Sequence, residues 1–104
     1  MYIYNKMNFL VRKSSIHGVG AFPNKPINKN EKIDIAINYT YIFRPNITYF
    51  ASFINHSYQP SCRLEYLDKV YYVVANYPIN VYDEITLNYN TTPWYIENAK
   101  KHYI

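Results

Sequence analysis

The sequence predicts a mostly β domain with minimal helix, on three observations. β-Branched and aromatic residues gather in short runs bounded by Pro, Asn, Gly or Ser, the pattern of strands separated by turns. Only two stretches, 47–54 and 94–101, have room for a helical turn or two. A ten-residue segment also recurs, once in each half of the chain, flanked by strand-like runs both times.

Taken from the N-terminus, strands are expected at 8–12, 20–22, 32–37, 39–43, 63–67, 70–76 and 84–87. Between 63–67 and 70–76 stand only Asp68 and Lys69, the spacing of a tight hairpin. The repeat is Asn24-Lys-Pro-Ile-Asn-Lys-Asn-Glu-Lys-Ile33 against Asn76-Tyr-Pro-Ile-Asn-Val-Tyr-Asp-Glu-Ile85, offset by 76 − 24 = 52 residues. Five of the ten positions are identical and a sixth exchanges Glu31 for Asp83. In each copy Pro-Ile ends a strand-like run, polar residues turn the chain, and an acid precedes the Ile of the next strand. Two similar elbows are implied.

A length of 104 residues leaves room for one domain, 1–104, with 90–104 as a lid or tail. Hydrophobic residues make up 49% and aromatics 19%, well above a disordered composition. Fourteen tyrosines suit a small aromatic core, because each buries a ring while its hydroxyl finds a partner or water. The net charge of +4 is carried by scattered residues, with Arg12-Lys13 and Lys100-Lys101 the adjacent basic pairs. No basic stripe forms, so direct nucleic-acid binding is not expected. The single cysteine, Cys62, excludes an internal disulfide and a cysteine-rich zinc site, so no metal is expected and a reducing, intracellular compartment fits. No apolar run approaches membrane-spanning length and the N-terminal segment lacks a cleavable signal, so a soluble protein off the membrane is the expectation.

Three segments have side chains suited to chemistry. The first, 15–22, holds Gly18 and Gly20, both glycines of the chain; spent two residues apart, they point to positive φ or to a close approach of the backbone to a ligand. The third glycine and the following helix of a dinucleotide fold are missing. The second segment carries Asn55-His56-Ser57 between an apolar stretch and Pro60, where turn formation alone favours such side chains; a lone histidine there is more often structural than catalytic. A serine hydrolase is disfavoured because no Gly-x-Ser-x-Gly elbow exists. The third runs from Asp83-Glu84-Ile85-Thr86 to Tyr89, which leaves a buried strand just before a polar turn, with Trp94 beyond it.

In this order the three segments resemble the SET domain family, particularly its small free-standing viral members. Gly18-Val19-Gly20-Ala21-Phe22 resembles the family's N-terminal Gly-x-Gly signature, Asn55-His56-Ser57-x-x-Pro60 its Asn-His-Ser motif, and Asp83-Glu84-Ile85-Thr86 with Tyr89 its Glu-Ile-Thr-x-x-Tyr signature. The resemblance implies a SET-domain β-clip of small curved sheets with a C-terminal pseudoknot that brings Asn55 and His56 beside Tyr89. It implies an S-adenosylmethionine-dependent protein lysine methyltransferase with Tyr89 as catalytic residue. Cofactor contacts carry over to His17, Gly18, Val19, Gly20, Asn55, His56 and Tyr89, and to Trp94 as an adenine platform. Tyr41 and Leu87 match substrate-channel positions, and Leu87 stands where a Phe or Tyr tunes the number of methyl groups added. Asn30 and Tyr82 replace the elbow glycines, Tyr58 a cysteine and Ser61 an asparagine; Asn adopts left-handed backbone readily, Tyr at a cost.

The implied partner is a protein or peptide with a target lysine, commonly a histone tail, which would place the protein in a nucleus or a virion; a homodimer is also expected. Glu65, Asp68, Asp83 and Glu84 are candidates for acids near the substrate groove. Two other classes fit parts of the sequence: a catalytically inactive SET-like module that binds peptide or protein, and a small basic β-protein that stacks single-stranded nucleic acid on exposed tyrosines.

Overall fold

The computed structural model describes residues 8–41 and 44–93. Among them are eight short strands: β1 (Phe9–Lys13), β2 (Val19–Pro23), β3 (Lys32–Tyr41), β4 (Arg44–Ile47), β5 (Asn55–His56), β6 (Cys62–Leu67), β7 (Val70–Ala75) and β8 (Thr86–Leu87). Single 3₁₀ turns stand at Ala51–Phe53 and Tyr89–Thr91. β1 and β2 form an antiparallel ribbon, β4-β3-β7-β6 an antiparallel sheet, and β5 and β8 a parallel pair. The expected mostly β fold of small sheets is what the chain adopts.

The β6–β7 hairpin turns on Asp68 and Lys69 as the spacing predicts. Both have positive φ, 51° and 66°, the left-handed pair that a two-residue turn needs to match strand twist. The strands expected at 32–37 and 39–43 are instead one ten-residue strand, β3. Register shifts at Ile35/Ile37 and Tyr39/Tyr41 let it bend without ending. β4, where a helical turn was expected to begin, holds Pro45 and occupies the sheet edge, the place where a missing N–H costs least. Of the helical stretch expected at 47–54, one 3₁₀ turn forms; the stretch at 94–101 lies outside the described residues. The strand expected at 84–87 is shorter, Glu84 and Ile85 preceding β8, with Ile85 bridged to Ala21.

The two repeats are two elbows, and they bond to each other. Ile27 and Ile79, at matching positions, exchange backbone hydrogen bonds at 2.8 and 2.9 Å. In the first copy Glu31 Oε1 accepts from the Asn28 N–H at 3.0 Å; in the second Asp83 Oδ2 accepts from the Asn80 N–H at 2.9 Å. The Glu/Asp exchange therefore preserves one bond in each elbow. Asn30 has φ 68°, whereas Tyr82 is not among the positive-φ residues, so no strain falls on the tyrosine.

The core fills the space between the elbows and the sheet with Ile33, Ile37, Val73, Ile79, Ile85 and Leu87. Phe9 closes one end against Phe50, ring centroids 4.8 Å apart. Burying such side chains contributes about 1.5–3 kcal/mol each, which is what a domain this small depends on.

Candidate functional site

The buried polar side chains among the described residues are Ser14, Asn55, Ser61 and Thr86, and all four stand where β8 crosses the rest of the chain. β8 pairs with β5 on one side, Asn55 opposite Thr86 and His56 opposite Leu87. On the other side Ser61 N–H donates to Thr86 Oγ1 at 2.9 Å and Thr86 N–H donates to Ser61 Oγ at 3.0 Å. The C-terminal strand thus enters between β5 and the loop before β6. A buried polar group costs stability unless bonded, and no buried side-chain polar atom among the described residues lacks a partner.

Asn55 joins three segments. Its Nδ2 lies 3.1 and 3.0 Å from the carbonyl oxygens of His17 and Val19, 3.2 Å from Ser14 Oγ and 2.8 Å from Glu84 Oε2. One NH₂ has two protons, so these bonds are shared, and they hold the glycine loop against β5. Gly18 has φ +49°, a left-handed turn that glycine adopts without cost. Gly20 answers a different need: a Cβ there would lie 2.7 Å from the Glu84 carboxyl carbon. The close approach expected at the glycine pair is thus made, at Gly20, by a side chain of the same protein.

Tyr89 follows β8 directly and is bonded at both ends. Its backbone N–H donates to His56 Nδ1 at 3.0 Å, which leaves the ring proton of a neutral His56 on Nε2, and its hydroxyl donates to the Ile54 carbonyl at 2.7 Å. The two rings lie 5.1 Å apart, tilted 54°, and Tyr58 meets the edge of His56 at 4.4 Å.

A cavity of about 750 Å³ opens among these groups, lined by the 16–19 loop, Tyr49, Ser52, Phe53, Asn55, His56 and Tyr89. Among the described residues that line it are no Lys, Arg, Asp or Glu. Of the residues assigned to cofactor contacts by resemblance, His17, Gly18, Val19, Asn55, His56 and Tyr89 line this one cavity. Gly20 does not; it is buried behind the wall against Glu84. Trp94 lies outside the described residues. Tyr41 is placed by its backbone at the end of β3, opposite Arg44. Leu87 is 1% exposed and belongs to the core rather than to the cavity wall.

Several residues at the site were not singled out from the sequence. Ile16, Tyr49, Ser52 and Phe53 line the cavity, and Ser14 ties the glycine loop to Glu84 and Asn55. Nothing local marks them, since a serine or a phenylalanine in a turn reads the same with or without a cavity beside it. Glu84, expected as an acid of the substrate groove, is turned inward onto Ser14 and Asn55 instead.

Strands of this order, closed by a parallel pair and a crossing C-terminal segment beside a cavity, define a small β-clip domain with a knotted site. The SET domain family profile matches residues 35–90, more than half the chain. The chain belongs to the SET domain family. Among solved structures it is similar to a Plasmodium falciparum protein provisionally assigned as a histone methyltransferase, with a TM-score of 0.68 and 23% identity. That match covers 86% of this chain and 99% of the other, and at this identity it shows the fold. No curated protein matches the sequence.

Proposed function

We propose that the protein methylates a lysine side chain of a protein substrate, using S-adenosylmethionine. The observation that carries this reading is that Tyr89, its hydroxyl bonded to the Ile54 carbonyl, lines the same cavity as the glycine loop and Asn55-His56. The lining fits the cofactor: the volume lies within the range of small-molecule pockets, Asn55, His56 and the loop backbone supply polar edges for a nucleoside and an amino-acid tail, and the faces of Tyr49, Phe53 and Tyr89 suit a sulfonium. When bound, the cofactor supplies an electrophilic methyl group.

The protein's own part is to present a neutral amine in line. Lysine has a free pKa of about 10.4, so the site must disfavour its charged form. A tyrosine- and phenylalanine-walled cavity, with no acid among its described lining residues, does so by desolvation. His56 Nδ1 is already engaged by the Tyr89 N–H, so desolvation lowers the pKa of the amine and its proton passes to solvent before the transfer, with no dedicated base assigned. With its own proton committed to Ile54, the Tyr89 oxygen is left as an acceptor that orients the amine.

A histone tail is the substrate class proposed first, because SET proteins commonly act there. The test is labelled S-adenosylmethionine with core histones and with a cell extract, comparing wild type and Tyr89→Phe. Label transferred by the wild type and largely lost in the folded variant supports the reading. Equal transfer by both removes Tyr89 from the chemistry, and no cofactor uptake by calorimetry leaves a binding module.

A further inference from the structure

Glu84 bonds to Asn55 of the cavity wall, and its bonds run into the protein. Oε1 accepts from Ser14 Oγ at 2.7 Å and Oε2 from Asn55 Nδ2 at 2.8 Å. Neither partner is charged, and Glu84 joins no ion pair among the described residues. Ser14 Oγ in turn accepts the backbone N–H groups of Ile16 at 2.9 Å and His17 at 3.2 Å, while the Ser14 N–H donates to the Gly18 carbonyl at 2.9 Å. Asn55 takes the carbonyls of His17 and Val19 on the same turn. The turn forms one wall of the cavity, and Asn55 with His56 stands on another. Both walls are therefore referred to one carboxylate, which fills the place where Gly20 has no side chain.

We propose that Glu84 is a positioning residue for the cofactor pocket: through Ser14 and Asn55 its carboxylate holds the 14–19 turn at a fixed spacing from β5. A carboxylate suits this post because it accepts at both oxygens. Gln keeps the shape but turns one acceptor into a donor, which then faces either Ser14 or Asn55. This inference rests on the cofactor reading above.

The experiment is calorimetric titration of S-adenosylmethionine into wild type, Glu84→Gln, Ser14→Ala and their double variant, with amide hydrogen exchange at Ile16 and His17 in the ligand-free proteins. Glu84→Gln is expected to weaken binding on the order of tenfold at unchanged stoichiometry and to speed exchange at both amides. Ser14→Ala does the same, and the double variant is weaker than the wild type by far less than the product of the two single effects, as residues of one network behave. Gly20→Ala weakens binding in the wild type but adds nothing to Glu84→Ala, where no carboxylate remains to collide with. A merely structural role lowers the stoichiometry, through an unfolded fraction, and leaves the dissociation constant of the folded fraction unchanged; that result overturns the proposal, as does wild-type affinity in Glu84→Gln. If the wild type takes up no cofactor, the methyltransferase reading fails first and this inference with it, an outcome distinct from variants that bind as the wild type does.

Discussion

Tyr89 makes two bonds with separate consequences. Its N–H to His56 fixes where the residue starts, and its hydroxyl to Ile54 fixes where the ring ends. Tyr89→Phe keeps the first and loses the second, at a stability cost of about 0.5–1.5 kcal/mol for one neutral hydrogen bond, so the variant stays folded while its turnover is tested. Leu87, two residues earlier, has no hydroxyl with which to pin a water and is packed into the core. Standing off the cavity wall, it sets no limit on the number of methyl groups added, so the expected products are di- and trimethyllysine. Mass spectrometry of the modified peptide checks this, and a product that stops at one methyl group at long reaction times is the opposite outcome.

The elbows behave as a matched pair, so their variants should as well. Glu31→Ala and Asp83→Ala each free one backbone N–H, at Asn28 and Asn80, and each is expected to cost about 1 kcal/mol, measured by denaturant unfolding. The middle positions differ. Asn30 already has left-handed backbone, so Asn30→Gly should be neutral or slightly stabilising. Tyr82 has none, and its ring lies 5.8 Å from the Arg12 guanidinium, so Tyr82→Gly should destabilise by about 0.5–1 kcal/mol. Equal effects at the two positions would mean that they share a conformation. Elements whose signal is local were legible in the sequence: the hairpin at Asp68 and Lys69, the repeated elbows, and the strands flanking them. β4 was hidden by Pro45, since the edge position that tolerates a proline is a property of the sheet. β5 holds two residues, too short for any periodicity, whereas β8 was expected within 84–87 and keeps only Thr86–Leu87; the two pair because the chain crosses itself. The site showed the same divide. His17, Gly18, Val19, Asn55, His56 and Tyr89, assigned by resemblance, came together in one cavity, whereas Ser14 and the inward turn of Glu84 became visible only once partners 70 residues apart were side by side.

For the molecule as a whole, β8 is tied to both β5 and the Ser61 loop, so the start of β6 sits deep in the fold. Cys62 stands there, 1% exposed. Burial pushes its thiol from 9.0 to about 12, against the smaller opposing pulls of the Ser61 hydroxyl and Arg63. Desolvation thus keeps the neutral form in the folded protein. At pH below 9 the thiol is protonated in both folded and unfolded chains, and its contribution is intact. Between 9 and 12 the unfolded chain releases a proton that the folded chain keeps, so stability falls as pH rises, on the order of 1 kcal/mol per pH unit. Above 12 both forms are ionised and the slope ends. The measurement that isolates the thiol is the difference in unfolding free energy between wild type and Cys62→Ala. Cys62→Ala is less stable near neutral pH because it opens a small void in the core, and the gap should narrow as pH climbs from about 9 to about 11. A gap that stays constant over that range would mean that the folded chain accommodates a thiolate beside Ser61, and that the crossing at β8 admits water.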